Sequence, residues 1–99
     1  MRILSKKILR EFWVRHARAE VPLQAWFDAV SDARWETPQD IRRSFGKTVD
    51  FIRDNRVIFD IGGNKYRLIA HVGYRHSIVY IKFVGTHAEY DQVDPETIG

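Results

Sequence analysis

No cysteine occurs among the 99 residues, which closes off both a disulfide framework and a thiolate metal site. A small secreted scaffold stapled by disulfides is thereby disfavoured, and the composition fits a reducing cytoplasm. Long apolar runs are missing as well. Ile78-Val79-Tyr80-Ile81 is among the longest, far short of the roughly 20 residues needed to cross a bilayer. Residues 1 to 20 alternate charged with apolar groups, which is not the pattern of a signal-peptide core. No membrane partner is expected. There are no internal repeats and no low-complexity tract, so no linker divides the chain, and a single domain over residues 1 to 99 is predicted.

The apolar content is sufficient for a core: 44% of residues are hydrophobic and 13% aromatic, enough for a small domain to fold without disulfides or metals. Charge is unevenly spread. Residues 1 to 86 hold all 16 Lys and Arg against nine acids, a balance of +7, while the last 13 residues hold only the acids Glu89, Asp91, Asp94 and Glu96. A basic body favours a polyanion as ligand or substrate, although an ordinary solvated surface carries many of the same charges. Residues 92 to 99, with Pro95 and two acids, are expected to form a frayed acidic tail.

Periodicity divides the chain into a helical half and a strand half. Arg2 to Leu4 reads as a short first strand, and Ser5 as the N-cap of a helix running to about Arg18. In that helix Ile8, Leu9, Phe12 and Trp13 form one apolar stripe, with Lys6, Lys7 and Arg10 on another face. A second helix is predicted from near Pro22, with Leu23, Trp26, Phe27 and Val30 at helical spacing. The two helices should form an antiparallel hairpin. Thr37-Pro38-Gln39-Asp40 has the form of a capping box, which predicts a short third helix stopped by Gly46.

From Thr48 onward the period changes to two. Val57, Phe59 and Ile61 alternate, Gly62-Gly63-Asn64 supplies a turn, and Tyr66, Leu68, Ala70 and Val72 alternate again. Ser77 to Val84 reads as the next strand of an antiparallel meander. With a two-residue loop at Arg75-His76, Val72 pairs with Val79, Ala70 with Ile81 and Leu68 with Phe83, and all six share the core face. The opposite face then carries Lys65, Arg67, Ile69 and His71 beside Tyr80, Lys82 and Val84, with Asp60 alongside. Such a mixture of cations and aromatics suits RNA. The predicted fold class is α+β, a helical hairpin plus a short third helix packed on a small antiparallel β-sheet.

Several chemistries are excluded by what accompanies each candidate residue. The histidines at 16, 71, 76 and 87 show no convergent metal-ligand spacing. His87-Ala88-Glu89 matches the His-x-Glu of zinc deaminases only superficially, because those sites need paired cysteines. No metal or other cofactor is expected. Gly62-Gly63-Asn64 opens a strand and lacks the Gly-Lys-Ser/Thr of a phosphate loop. The serines stand in no nucleophile motif. Phe12, Trp13, Trp26 and Phe27 fall at core spacing, as Tyr66 does on its strand, and His16 suits packing or helix capping.

Two remaining segments, Asn64-Lys65-Tyr66-Arg67-Leu68-Ile69 and Phe83-Val84-Gly85-Thr86-His87-Ala88-Glu89-Tyr90-Asp91, resemble motifs of the HigB toxins of bacterial type II toxin–antitoxin systems. The similarity extends to Met1 through Lys7, to Leu9-Arg10-Glu11-Phe12-Trp13 and to Arg56 through Ile61, and so covers nearly the whole chain. The resemblance implies a RelE/ParE-like scaffold and an endoribonuclease that cleaves mRNA, often on the ribosome. It also implies a cognate HigA-type helix-turn-helix antitoxin as partner, with DNA engaged only indirectly through that antitoxin. A ParE-like toxin acting on a protein such as gyrase, and a non-catalytic RNA- or ribosome-binding module, are the competing expectations.

Metal-free RNA cleavage proceeds by attack of a 2′-OH on the adjacent phosphate and needs a base, an acid and stabilisation of the phosphorane. Arg67 is the first candidate, since a guanidinium grips two phosphate oxygens at once. Its predicted place on the open face makes it an exposed side chain whose loss should scarcely affect unfolding. His87 could exchange a proton near neutrality, or be an ordinary turn residue. Tyr90 could stack on a base or hydrogen-bond the phosphate, or serve as a lid on the core. In an extended strand His87 and Tyr90 would face opposite ways, so joint action requires a helical turn between them. Lys65 and Lys82 are candidate phosphate contacts, with solvated strand lysines as the plain alternative. Lys6, Lys7 and Arg10 are expected to seat RNA phosphates without a part in bond breaking. Glu89 is left outside the catalytic set.

Overall fold

The computed structural model describes residues 1–99. In chain order it contains β1 (Arg2–Leu4), α1 (Lys6–Arg15), α2 (Glu20–Asp32), α3 (Pro38–Phe45), β2 (Val49–Ile52), β3 (Arg56–Ile61), β4 (Tyr66–Gly73), β5 (Ile78–Thr86) and α4 (His87–Tyr90). The predicted helices are all present, with adjusted ends. Ser5 does not cap α1: it sits in the left-handed region at φ 74° and its hydroxyl bonds no first-turn amide, because the chain turns there directly out of β1. The helix stops at Arg15, short of Arg18. At His16 the backbone leaves helical geometry (φ −129°, ψ 81°) and the ring stacks on Phe12 at 4.5 Å. In α2, Pro22 is the third residue, still within the turn whose amides have no intrahelical acceptor. The capping box of α3 forms as predicted: Asp40 accepts from the backbone N–H groups of Glu36 and Thr37 at 2.8 and 3.1 Å, and Gly46 ends the helix at φ 60°.

The apolar stripes converge on one face of the sheet. Leu9 and Phe12 of α1 and Leu23, Trp26 and Val30 of α2 join Val57, Phe59, Leu68, Ala70, Val72, Val79 and Ile81 in one core cluster. Phe59 is its centre, with Trp26, Trp35 and Phe45 rings at 5.4, 6.3 and 5.0 Å. Truncating a ring packed on three sides costs about 3–5 kcal/mol.

The five strands run in the order β1-β5-β4-β3-β2. All pairs are antiparallel except β1, which lies parallel to β5. Strand β2 shows no pattern of its own in the sequence, since four residues are too few to display a period. It is fixed by pairing with β3, Val49 opposite Phe59 and Ile52 opposite Arg56, across a turn in which Asp54 and Asn55 both take positive φ.

The predicted register of β4 on β5 holds for half its length. Val72 pairs with Val79 and Ala70 with Ile81, but a bulge follows, so that Ile69 faces Phe83 and Leu68 faces Val84. Lys82 is the extra residue. Because strand faces alternate, one inserted residue inverts everything beyond it. Val84 therefore joins the core cluster, and Phe83 takes the open face in its place. The same shift brings Gly85 opposite Arg67.

The open face is partly covered. Ile58 and Ile69 lie outside the core cluster yet are only 4% and 0% exposed. The segment after β5 returns to this face: Arg56 donates from Nη1 to the carbonyls of Pro95 and Ile98 at 3.1 and 2.6 Å, and Gly99 lies against the Lys82 side chain. Residues 92–99, expected to fray, are thus tied across the sheet, with Ile98 N–H bonded to the Asp94 carbonyl.

Candidate active site

At the uncovered end of this face Asp60 of β3, Arg67 of β4 and Gly85 of β5 stand in one cross-strand row. The register alone puts the Asp60 carboxylate beside the guanidinium, with Arg67 Nε 3.0 Å from Asp60 Oδ1. Both side chains are sheltered, 12% exposed for Arg67 and 24% for Asp60. Asp60 Oδ1 is fully buried and accepts no aligned hydrogen bond. Its compensation is therefore the Coulombic contact with Arg67, close but off the N–H axis. Gly85 leaves room on the other side. A Cβ there would meet the Phe83 ring at 2.5 Å and Glu89 Cβ at 3.1 Å, so the close approach of α4 requires a residue without a side chain.

Helix α4 delivers the other two candidates. Its single turn is nucleated by a Thr-x-x-Glu capping box: Glu89 N–H donates to Thr86 Oγ1 at 3.2 Å, and the Glu89 carboxylate accepts from Thr86 N–H at 2.9 Å. That backbone bond holds the Glu89 carboxyl below its usual range, with burial opposing and Thr86 Oγ1, Arg15 and His16 assisting. Glu89 is therefore a structural clamp, also placed 3.8 Å from Arg15 of α1. Three residues apart on one turn, His87 and Tyr90 come to the same side, and the condition for their joint action is met.

The three candidates meet. Arg67 Nη2 lies 2.9 Å from His87 Nε2, and its Cζ is 5.8 Å from the centre of the Tyr90 ring. The His87 and Tyr90 rings pack edge-on at 6.5 Å. A guanidinium can only donate, so Nε2 presents its lone pair and the ring proton resides on Nδ1, which faces Asp91 Oδ2 at 3.8 Å. Nη1 makes two long contacts of 3.4 Å to the carbonyls of Asn64 and Tyr66. Burial pushes the Tyr90 phenol above its ordinary value of 10; Arg67 opposes this, and the carboxylates of Asp50, Asp60 and Asp91 reinforce it. Tyr90 is thus a neutral hydrogen-bond donor at physiological pH.

The other basic candidates lie apart from this cluster. Lys65 is exposed in the turn before β4, not on the strand. Lys82, in the bulge, points along the open face toward Tyr80, with Nζ 5.7 Å from that ring. Lys6, Lys7 and Arg10 belong to α1, whose buried side packs on the core face of the sheet. Lys6 sits over Phe27 at 4.2 Å, Lys7 pairs with Glu11 at 3.5 Å, and Arg10 shares with Lys6 a groove between α1 and α2. No group of three or more histidine and acidic side chains converges on a possible metal site. The sequence had placed Asp60 alongside Arg67 without giving it a role; counting back from the Gly62-Gly63 turn was the signal for their pairing.

A helical hairpin on one face of a mainly antiparallel sheet, with Arg67, His87 and Tyr90 gathered on the other, defines an α+β protein of RelE-like class. Residues 19–93 match the model of the HigB toxin family, described as the RelE-like toxic component of a toxin–antitoxin system. The chain belongs to that family. It is 27% identical over 94 residues to the mRNA interferase HigB of Escherichia coli O6:H1 strain CFT073, covering 94% of this chain and 91% of that protein. The mRNA interferase toxin HigB of Escherichia coli K12 is 26% identical over 92 residues, 92% of this chain and 88% of the relative. The Shigella flexneri mRNA interferase HigB matches to the same extent. No helix is long and apolar enough to cross a membrane.

Proposed function

We propose that this chain is an endoribonuclease that cleaves mRNA on the ribosome, in the cytoplasm, by a metal-free mechanism, and that a HigA-type helix-turn-helix antitoxin neutralises it. The observation that carries this reading is the contact of Arg67 with both Asp60 and His87 at the open end of the sheet, beside the neutral phenol of Tyr90. An incoming phosphate replaces the weak contacts of Nη1 and the contact of Nη2, and the released His87 Nε2 becomes free to accept a proton. His87 then takes the proton of the 2′-OH as its oxygen attacks the phosphorus. The resulting imidazolium returns the proton to the departing 5′-oxygen, leaving a 2′,3′-cyclic phosphate and a 5′-hydroxyl. Arg67 stabilises the charge that builds on the non-bridging oxygens, and Tyr90 donates a hydrogen bond to the phosphate. Lys65 and Lys82 hold flanking phosphates as point charges, and Lys6, Lys7 and Arg10 serve a more distant RNA contact.

The test is cleavage of a defined messenger in a purified translation mixture, with the products' ends identified. Cyclic phosphate and 5′-hydroxyl ends that vanish in Arg67→Ala and His87→Ala support the reading. Growth arrest that persists in both variants without cut messenger overturns it in favour of a protein target.

A further inference from the structure

We propose that Asp60 is a positioning residue for Arg67, setting the guanidinium for turnover at the expense of RNA affinity. This rests on the ribonuclease reading above. A carboxylate beside a phosphate site repels the substrate, so affinity alone gives no reason for it. Its placement is specific nonetheless. Asp60 stands directly opposite Arg67 in the register, and its Oδ1 is fully buried with no aligned hydrogen bond of its own. The ion pair is made through Nε, 3.0 Å from Asp60 Oδ1.

The consequence lies in the geometry of the guanidinium. Arginine offers five N–H groups in a planar fork. With the Nε edge turned to Asp60, the fork cannot rotate freely, and the Nη groups are directed past Asn64 and Tyr66 toward His87. Phosphate must then approach end-on, at the place where the His87 lone pair is released. Without Asp60 the Nε–Nη edge is open, and a phosphate can be gripped sideways, tightly but away from His87. Removing the carboxylate therefore moves binding and turnover in opposite directions, which loss of packing does not do.

The experiment varies the concentration of messenger-programmed ribosomes and measures KM and kcat for wild type, Asp60→Asn and Asp60→Glu, with the thermal transition of each. For Asp60→Asn the expected result is a KM equal to or below wild type with kcat lowered about ten- to a hundredfold, the scale of a misplaced reacting group. Asp60→Glu, which keeps the charge but lengthens the arm, should retain the wild-type KM with an intermediate kcat. Wild-type kcat in folded Asp60→Asn overturns the proposal, as does a raised KM with unchanged kcat. If Asp60→Asn does not fold, Asp60→Glu decides: full turnover there also overturns it. A second readout is independent of cleavage. Side-chain nitrogen NMR of His87 should report Nδ1–H in the wild type and tautomer exchange in Asp60→Asn. Identical spectra count against the positioning role, whereas a wild type that cuts no messenger sinks the ribonuclease reading and leaves this test standing.

Discussion

Arg67→Ala is expected to destabilise the fold as well as abolish cleavage, although a strand arginine on an open sheet face is ordinarily dispensable for stability. The difference lies in what the side chain leaves behind. Arg67 is 12% exposed and Asp60 24%, and Asp60 Oδ1 is buried without an aligned donor, so removing the cation strands a carboxylate oxygen in the sheet. An unsatisfied buried polar group costs about 1–3 kcal/mol, and breaking a fully buried ion pair about 3–5 kcal/mol. Since the pair retains some access to water, the lower range applies. In a domain of this size each kcal/mol moves the unfolding midpoint by roughly 4–8 °C. The assay is thermal and urea unfolding by circular dichroism of wild type, Arg67→Ala, Asp60→Asn and the double variant. The double variant should recover part of the loss, because the stranded charge is gone although a buried amide remains, giving a coupling of about 1 kcal/mol. An Arg67→Ala midpoint within error of wild type, or no recovery in the double variant, refutes the reasoning and makes the ion pair an ordinary surface contact. Arg67→Lys should regain only part of the cleavage, a point charge being unable to reproduce the fork.

Thr86→Ala removes one arm of the α4 capping box and should cost about 1 kcal/mol; cleavage should fall further than this loss of folded protein accounts for, as measured by activity per folded molecule, because His87 and Tyr90 ride on that turn. Burial raises the phenols of Tyr74 and Tyr90, so their contribution is fully present below the unfolded value near 10 and is lost as pH rises through their folded values; absorbance titration should show one late-ionising tyrosine fewer in Tyr90→Phe than in the wild type. Glu89 has the opposite sign: its depressed carboxyl stabilises above about pH 4.5, the unfolded value, and that contribution fades as pH falls through the folded one. Glu89→Gln should therefore flatten the acid limb of stability measured by urea midpoints. Neutralising Lys6, Lys7 and Arg10 together should weaken RNA binding and reduce its salt slope while the cleavage rate at saturation stays near wild type; a collapse of that rate would bring α1 into the reaction.

What the sequence determined by itself was everything governed by local torsion and by the side on which a residue falls. Apolar spacing specified α1 and α2, Thr37 and Asp40 specified the start of α3, and alternation across Gly62-Gly63-Asn64 specified the β3–β4 hairpin, with Arg67 opposite the core. The segment from Phe83 to Asp91 also carried its family resemblance in plain view. The tertiary structure decided the rest. The bulge at Lys82 exchanged Phe83 for Val84 in the core, because either residue is apolar enough for either face and only packing chooses the register. Strand β2 exists through its partner β3, and Ser5 lost its capping role to a turn that β1 imposes. Arg67, placed correctly on the open face, turned out sheltered there, since burial depends on what arrives from elsewhere in the chain: α4, folded back by its own capping box, and Asp60, delivered from the neighbouring strand. The orientation of a side chain is a property of its own strand, but its partners and its exposure belong to the assembled molecule.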